Sequence, residues 1–117
     1  MINLSHKKLD VWKLSIQLTA IIYEITLGFP KHELYGLTSQ LRRASVSIPS
    51  NIAEGAARKS AKERCRFYEI ARSSLVEVDT QLEIAQKLNY LSDKELIKVE
   101  NKLEHIFAML SNLIKNT

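Results

Sequence analysis

Arg58, Lys62 and Arg66 recur at every fourth position, with Lys59 and Arg64 between them. On a continuous helix that spacing stacks three cations along one face, with Lys59 at its edge. Such a ladder suits a row of phosphates, because Lys and Arg displace the counterions condensed on a nucleic-acid backbone. Arginine adds a planar fork for two-point contact. The segment from Arg42 to Arg72 holds eight basic residues against Glu54, Glu63 and Glu69, a net of +5. The whole chain of 117 residues carries only +4, so its excess charge is local, as in a basic patch. The candidate backbone contacts are Arg42, Arg43, Arg58, Lys59, Lys62, Arg64, Arg66 and Arg72. The competing reading is a solvated face tempered by Glu63 and Glu69. Tyr68 is the nearby aromatic able to stack on a base, but it also fits an apolar stripe, so little sequence-specific readout is expected.

Other chemistry finds less material. Cys65 sits between Arg64 and Arg66, a positive setting that lowers a thiol pKa. No histidine is placed beside it by sequence, and a small side chain at a helix contact is the plainer reading. His6, His32 and His105 are far apart, and the residue three before His105 is Lys102. The Glu-x-x-His pairs of a di-iron bundle are therefore missing. Of Glu77, Asp79 and Glu83, only the last two are one turn apart. "AEGAARKS" has a single glycine and lacks the phosphate-loop pattern. No catalytic residue, metal or cofactor is expected.

Helices must position these residues. Hydrophobic residues make up 45% of the chain, and three Gly and two Pro leave little material for hairpins. The length fits one domain. One cysteine excludes an intrachain disulfide and points to a reducing compartment. No apolar stretch follows the N-terminal lysines, and Leu14 to Phe29 is too short and too polar to span a bilayer. A cytoplasmic protein without a membrane segment is expected.

Periodicity marks four helices, over about 7–27, 34–57, 61–88 and 93–115. The first has two apolar stripes, Leu9-Trp12-Ile16-Ala20-Tyr23-Leu27 and Val11-Leu14-Leu18-Ile22-Ile25, and ends at Gly28 and Pro30. The second carries Leu34, Leu37, Leu41, Ala44, Ile48 and Ile52 opposite a serine-rich face. Pro49 in its interior removes one N–H and pushes on the Ser45 carbonyl, which predicts a kink or break. Ser45, Ser47 and Ser50 are placed to take up the freed groups. The spacings Ser60-Glu63 and Ser92-Glu95 predict capping boxes for helices three and four. Short connections make neighbours antiparallel, so the fold class is all-α, an up-and-down antiparallel four-helix bundle in a single domain. The double stripe of helix one, with Phe67, Ile70, Ile84, Phe107 and Ile114 off the main seams, leaves more apolar surface than one small bundle can hide. Self-association is expected.

The segment "YGLTSQLRRASVSIPSNIAEGAAR", Tyr35 to Arg58, resembles the signature of four-helix-bundle proteins encoded by intervening sequences in bacterial large-subunit ribosomal RNA genes. "LDVWKLS", "FYEIARSSLVEVDTQLEIA" and "LNYLS" extend the resemblance over nearly the whole chain. Relatives of that family act as accessory proteins of diversity-generating retroelements. The resemblance implies an up-and-down bundle, a homopentamer with a central channel, and no known enzymatic activity. The retroelement relatives bind nucleic acid and a reverse transcriptase through basic surfaces.

Two functions are thus expected in competition. One is a non-enzymatic, oligomeric bundle that holds RNA or DNA backbone without sequence preference. The other is a protein–protein scaffold whose basic surface docks an acidic partner, such as a reverse-transcriptase-type enzyme.

Overall fold

The computed structural model describes every residue from Met1 to Thr117. Four helices form an all-α fold without strands: α1 (Asp10–Thr26), α2 (Leu37–Ala56), α3 (Ala61–Lys87) and α4 (Asp93–Lys115). Short 3₁₀ turns at Ser5–Lys8 and Lys31–Glu33 precede α1 and α2. Each helix touches its chain neighbours, α1 also closes on α4, and α1 and α3 lie on the diagonal. Cross-helix contacts fix the antiparallel register: Thr19 meets Ser45, Ser47 meets Ser74, and Arg72 meets Ser111.

The heptad-like stripes supply one core. Leu18 and Ile22 of α1, Leu41, Ile48 and Ile52 of α2, Val78 and Leu82 of α3, and Val99, Ile106 and Leu110 of α4 are essentially solvent-free. Each such side chain is worth about 1.5–3 kcal/mol when removed from water. The two stripes of α1 have opposite fates. Val11, Leu18, Ile22 and Ile25 are buried, whereas Ile16, Tyr23 and Leu27 remain exposed.

Helix starts differ from the periodic reading at two places. The first helix was expected from residue 7, but Leu9 adopts extended backbone and α1 begins at Asp10. His6 instead packs edge-on against Trp12, 5.0 Å between ring centroids. The second was expected from residue 34 and begins at Leu37. Here Glu33 caps the helix from outside, its Oε1 accepting from the Leu37 N–H at 3.2 Å. A Cβ on Gly36 would lie 2.7 Å from that same oxygen, so glycine makes room for the cap. Tyr90, from the turn between α3 and α4, donates to Glu33 Oε2 at 2.9 Å and ties the two loops at this end together. The Leu37 amide first, then Tyr90, hold the Glu33 carboxyl below its ordinary pKa, while the bond to Glu33 raises that of Tyr90.

Caps at the other starts largely follow the serine spacing. Ser92 and Glu95 form both halves of a capping box. At Ser60 the side chain accepts from the Glu63 N–H, and only that half of the expected box forms.

Pro49 does not break α2, which is helical without interruption from Leu37 to Ala56. The three serines do not take the freed acceptor either. Ser45 Oγ donates to the Arg42 carbonyl, Ser50 Oγ to the Val46 carbonyl, and Ser47 Oγ pairs with Ser74 Oγ across the α2–α3 contact. The Ser45 carbonyl is met instead by Thr19 Oγ1 of α1 at 3.0 Å. Near the end of α2, Gly55 lies so close to α3 that an added Cβ would stand 2.7 Å from the Tyr68 ring and 3.1 Å from Phe67 Cβ.

Candidate nucleic-acid interface

The antiparallel topology brings the end of α2 and the start of α3 to one end of the bundle. Lys59 lies in the turn between them, and Lys62 and Arg66 are one turn apart on α3. All three are exposed and have no hydrogen-bond or ion-pair partner within the chain. The expected ladder is shorter than its spacing implied. Arg58 sits in the connection after α2, so it cannot stack above Lys62 on a continuous helix face.

Arg58 and Arg64 hold this turn together. Arg58 Nη2 pairs with Glu54 Oε2 at 2.9 Å, and its guanidinium lies 4.8 Å from the centre of the Phe67 ring. An exposed pair of this kind contributes about 0–1 kcal/mol. Arg64 Nη1 donates to the Arg58 and Lys59 carbonyls at 3.2 and 2.7 Å, so its guanidinium closes two backbone acceptors of the turn between α2 and α3. Arg58 uses one of its five N–H donors on Glu54 and keeps the others at the surface.

The remaining arginines face elsewhere. Arg42 Nε donates to Thr26 Oγ1 at 2.9 Å, and its guanidinium covers the Tyr23 ring at 4.7 Å, against α1. Arg72 Nη1 donates to Ser111 Oγ at 3.1 Å beside Phe107, against α4. Arg43 opens on a polar cleft between α2 and α3 with Ser47, Ser74, Glu77 and Gln81, far along α2 from the turn. From Arg43 to Ala56 the helix rises about 20 Å. The eight residues therefore occupy four places, and five of them share the α2–α3 end.

That end also draws cations the charge window left out. The Ser5–Lys8 turn packs against α2, which brings Lys8 toward it. α4 ends beside the start of α3, where Cys65 Sγ lies 3.6 Å from the Ile114 carbonyl, so Lys115 joins from the fourth helix. Both are exposed and unpaired. Nothing in their local sequence signals this; only the up-down order of the helices does. Tyr68 is not available for stacking. It is 4% exposed against Gly55, and its burial pushes the phenol pKa up.

His6, His32 and His105 stay apart, and no group of three or more His, Cys, Asp or Glu side chains converges on a point. No helix is long and apolar enough to cross a membrane.

These features define a small all-α bundle with a cationic end. The chain belongs to the 23S rRNA-intervening sequence protein family, whose pattern matches residues 7–112. Its fold is similar to the crystal structure of a protein of unknown function from the S23 ribosomal protein family of Bacteroides thetaiotaomicron VPI-5482. The TM-score is 0.81 at 21% identity, covering 90% of this chain and 98% of that one. No curated protein matches the sequence.

Proposed function

We propose that the protein is a non-enzymatic, cytoplasmic, self-associating bundle that grips RNA or DNA backbone through its α2–α3 end. The observation that carries this reading is the gathering of unpaired Lys59, Lys62 and Arg66 with Lys8 and Lys115 from two other segments. Cations without internal partners keep their full charge for a polyanion, and phosphate contacts need no base-reading group. Arg58 adds its free donors. Arg42, Arg43 and Arg72 fall outside this surface.

Self-association is supported by the exposed stripe Ile16-Ala20-Tyr23-Leu27 on α1, whose apolar members would be covered by a second copy. Five copies, the number the family resemblance implies, would multiply the cationic ends and raise affinity without new contact types. In this reading α2 bends at Pro49, where proline removes a helical N–H and its ring presses on the Ser45 carbonyl.

The test is fluorescence anisotropy with a short labelled RNA across a salt series. Binding should weaken with a log–log slope of roughly −0.7 per phosphate neutralised. Retention of an acidic polypeptide that an arbitrary oligonucleotide fails to displace would replace this reading with the scaffold.

A further inference from the structure

We infer that the trough between α3 and α4 is a docking site for a basic amphipathic helix of a partner polypeptide. The trough has a volume of about 420 Å³. Leu75 and Leu103 form its floor, and Val76 and Phe107, 50% and 42% exposed, form its apolar lips. Asp79 lines it from α3, and Glu100 and Glu104 line it from α4.

These three carboxylates are unpaired. The single ion pair in the chain joins Arg58 to Glu54 at the α2–α3 end, and none of the 17 basic residues reaches them. Glu100 and Glu104 are one turn apart on the same helix, a like-charge spacing that weakens an isolated helix. Asp79 adds a third negative charge from the facing wall. In a chain with a net positive charge, this trough is a locally negative surface, with three carboxylates against one cation at its edge, Arg72, which is bonded to Ser111 and lies 5.9 Å from the centre of the Phe107 ring.

The chemistry of the occupant follows. Apolar floor and lips require apolar side chains, and a groove between two helices receives them at helical spacing from an amphipathic segment. Carboxylates on both walls require Lys or Arg flanking that apolar stripe. From Glu100 to Phe107 the trough runs about 10 Å, or two helical turns. A nucleic acid is excluded by the same charges that attract a basic helix. The site is therefore distinct from the phosphate-binding end, and the protein would join a polyanion at one surface to a basic polypeptide at another.

The test uses a fluorescein-labelled helix-forming peptide of about 14 leucine and lysine residues, with leucines on one face, titrated without RNA. A control peptide keeps the composition and scrambles the order. Saturable binding of the patterned peptide, at least tenfold tighter than the scrambled one, is expected. The triple change Asp79→Lys, Glu100→Lys and Glu104→Lys should weaken it at least tenfold with helicity unchanged, since all three side chains are exposed. Phe107→Ser should weaken it independently of charge. Equal binding of both peptides, or indifference to the triple change, overturns the assignment. A fall in the native mass of the peptide-free protein on Phe107→Ser would also overturn it, because the trough would then be an interface between copies. Loss of RNA binding alone would contradict the proposed function and leave the trough untouched.

Discussion

Thr19 Oγ1 lies 3.0 Å from the Ser45 carbonyl oxygen, the acceptor that Pro49 deprives of its helical N–H. A hydroxyl on α1 thus takes the place of a backbone donor on α2, and the same hydroxyl also reaches the Ser15 carbonyl at 2.9 Å. The contact explains how a proline sits at a buried position in the interior of an unbroken helix. It also ties α1 to α2 at one fixed register.

Thr19→Val keeps the shape and removes the donor. It should destabilise the protein by about 1–3 kcal/mol, the usual consequence of leaving a buried acceptor unpaired. In a Pro49→Ala background the restored N–H supplies Ser45, so the same change should have a smaller effect. Urea unfolding of the four proteins measures this. Equal costs in both backgrounds would show that the threonine does not serve the acceptor.

Gly55→Ala should destabilise, although alanine is the better helix former by about 1 kcal/mol. The new methyl group would meet the Tyr68 ring at 2.7 Å, and overpacking of this kind costs about 1–3 kcal/mol. Thermal unfolding decides the sign; a raised Tm would mean that α2 and α3 separate there at little cost.

Much of the fold was legible because it rests on repetition. The stripes Leu41-Ala44-Ile48-Ile52 and Leu96-Val99-Leu103-Ile106-Leu110 carry the helical period without interruption, and they form the core as expected. What periodicity could not show was where helix gives way to 3₁₀ turn. Residues 7–9 and 34–36 continue the apolar rhythm, but Leu9 and Gly36 leave helical backbone, in the second case under a side-chain cap from Glu33. The candidate interface was legible only as charge density along the chain. Arg42 and Arg72 count equally with Lys62 there, yet in three dimensions they are stacked and bonded to Thr26 and Ser111. Lys8 and Lys115 lie outside the dense segment and reach it only through topology.

Glu33 sets a pH dependence. Its carboxyl is held below the ordinary value of 4.5 by the Leu37 amide first and Tyr90 second. A group depressed in the folded state contributes stability that is fully present above its unfolded pKa and lost as pH falls through the folded one. Wild-type stability should therefore decline as pH drops below 4.5. Glu33→Gln should lower Tm at neutral pH and flatten that decline. Parallel profiles for the two proteins would contradict the role given to the cap.

The arginines should separate by function. Arg42→Ala should cost about 1 kcal/mol of stability, through the lost stacking on Tyr23 and the bond to Thr26, and leave nucleic-acid binding intact. Lys62→Glu with Arg66→Glu should do the reverse. Anisotropy and urea unfolding on the same preparations check both halves.

The α1 stripe should govern mass. Ile16→Glu with Leu27→Glu places charge on side chains that are 43% and 79% exposed, so the bundle should fold and its oligomer should dissociate. Sedimentation velocity reads the result; an unchanged sedimentation coefficient would assign self-association to another face.

The most direct test is light scattering coupled to size exclusion, with and without a short RNA, at low and moderate salt. Wild type is compared with Lys59→Glu, Lys62→Glu, Arg66→Glu combined. The account predicts an oligomer whose mass rises with RNA at low salt and returns at moderate salt, and a triple variant of the same mass that ignores RNA. A wild-type mass indifferent to RNA, or a triple variant that still takes it up, would contradict the assignment of the α2–α3 end to nucleic acid.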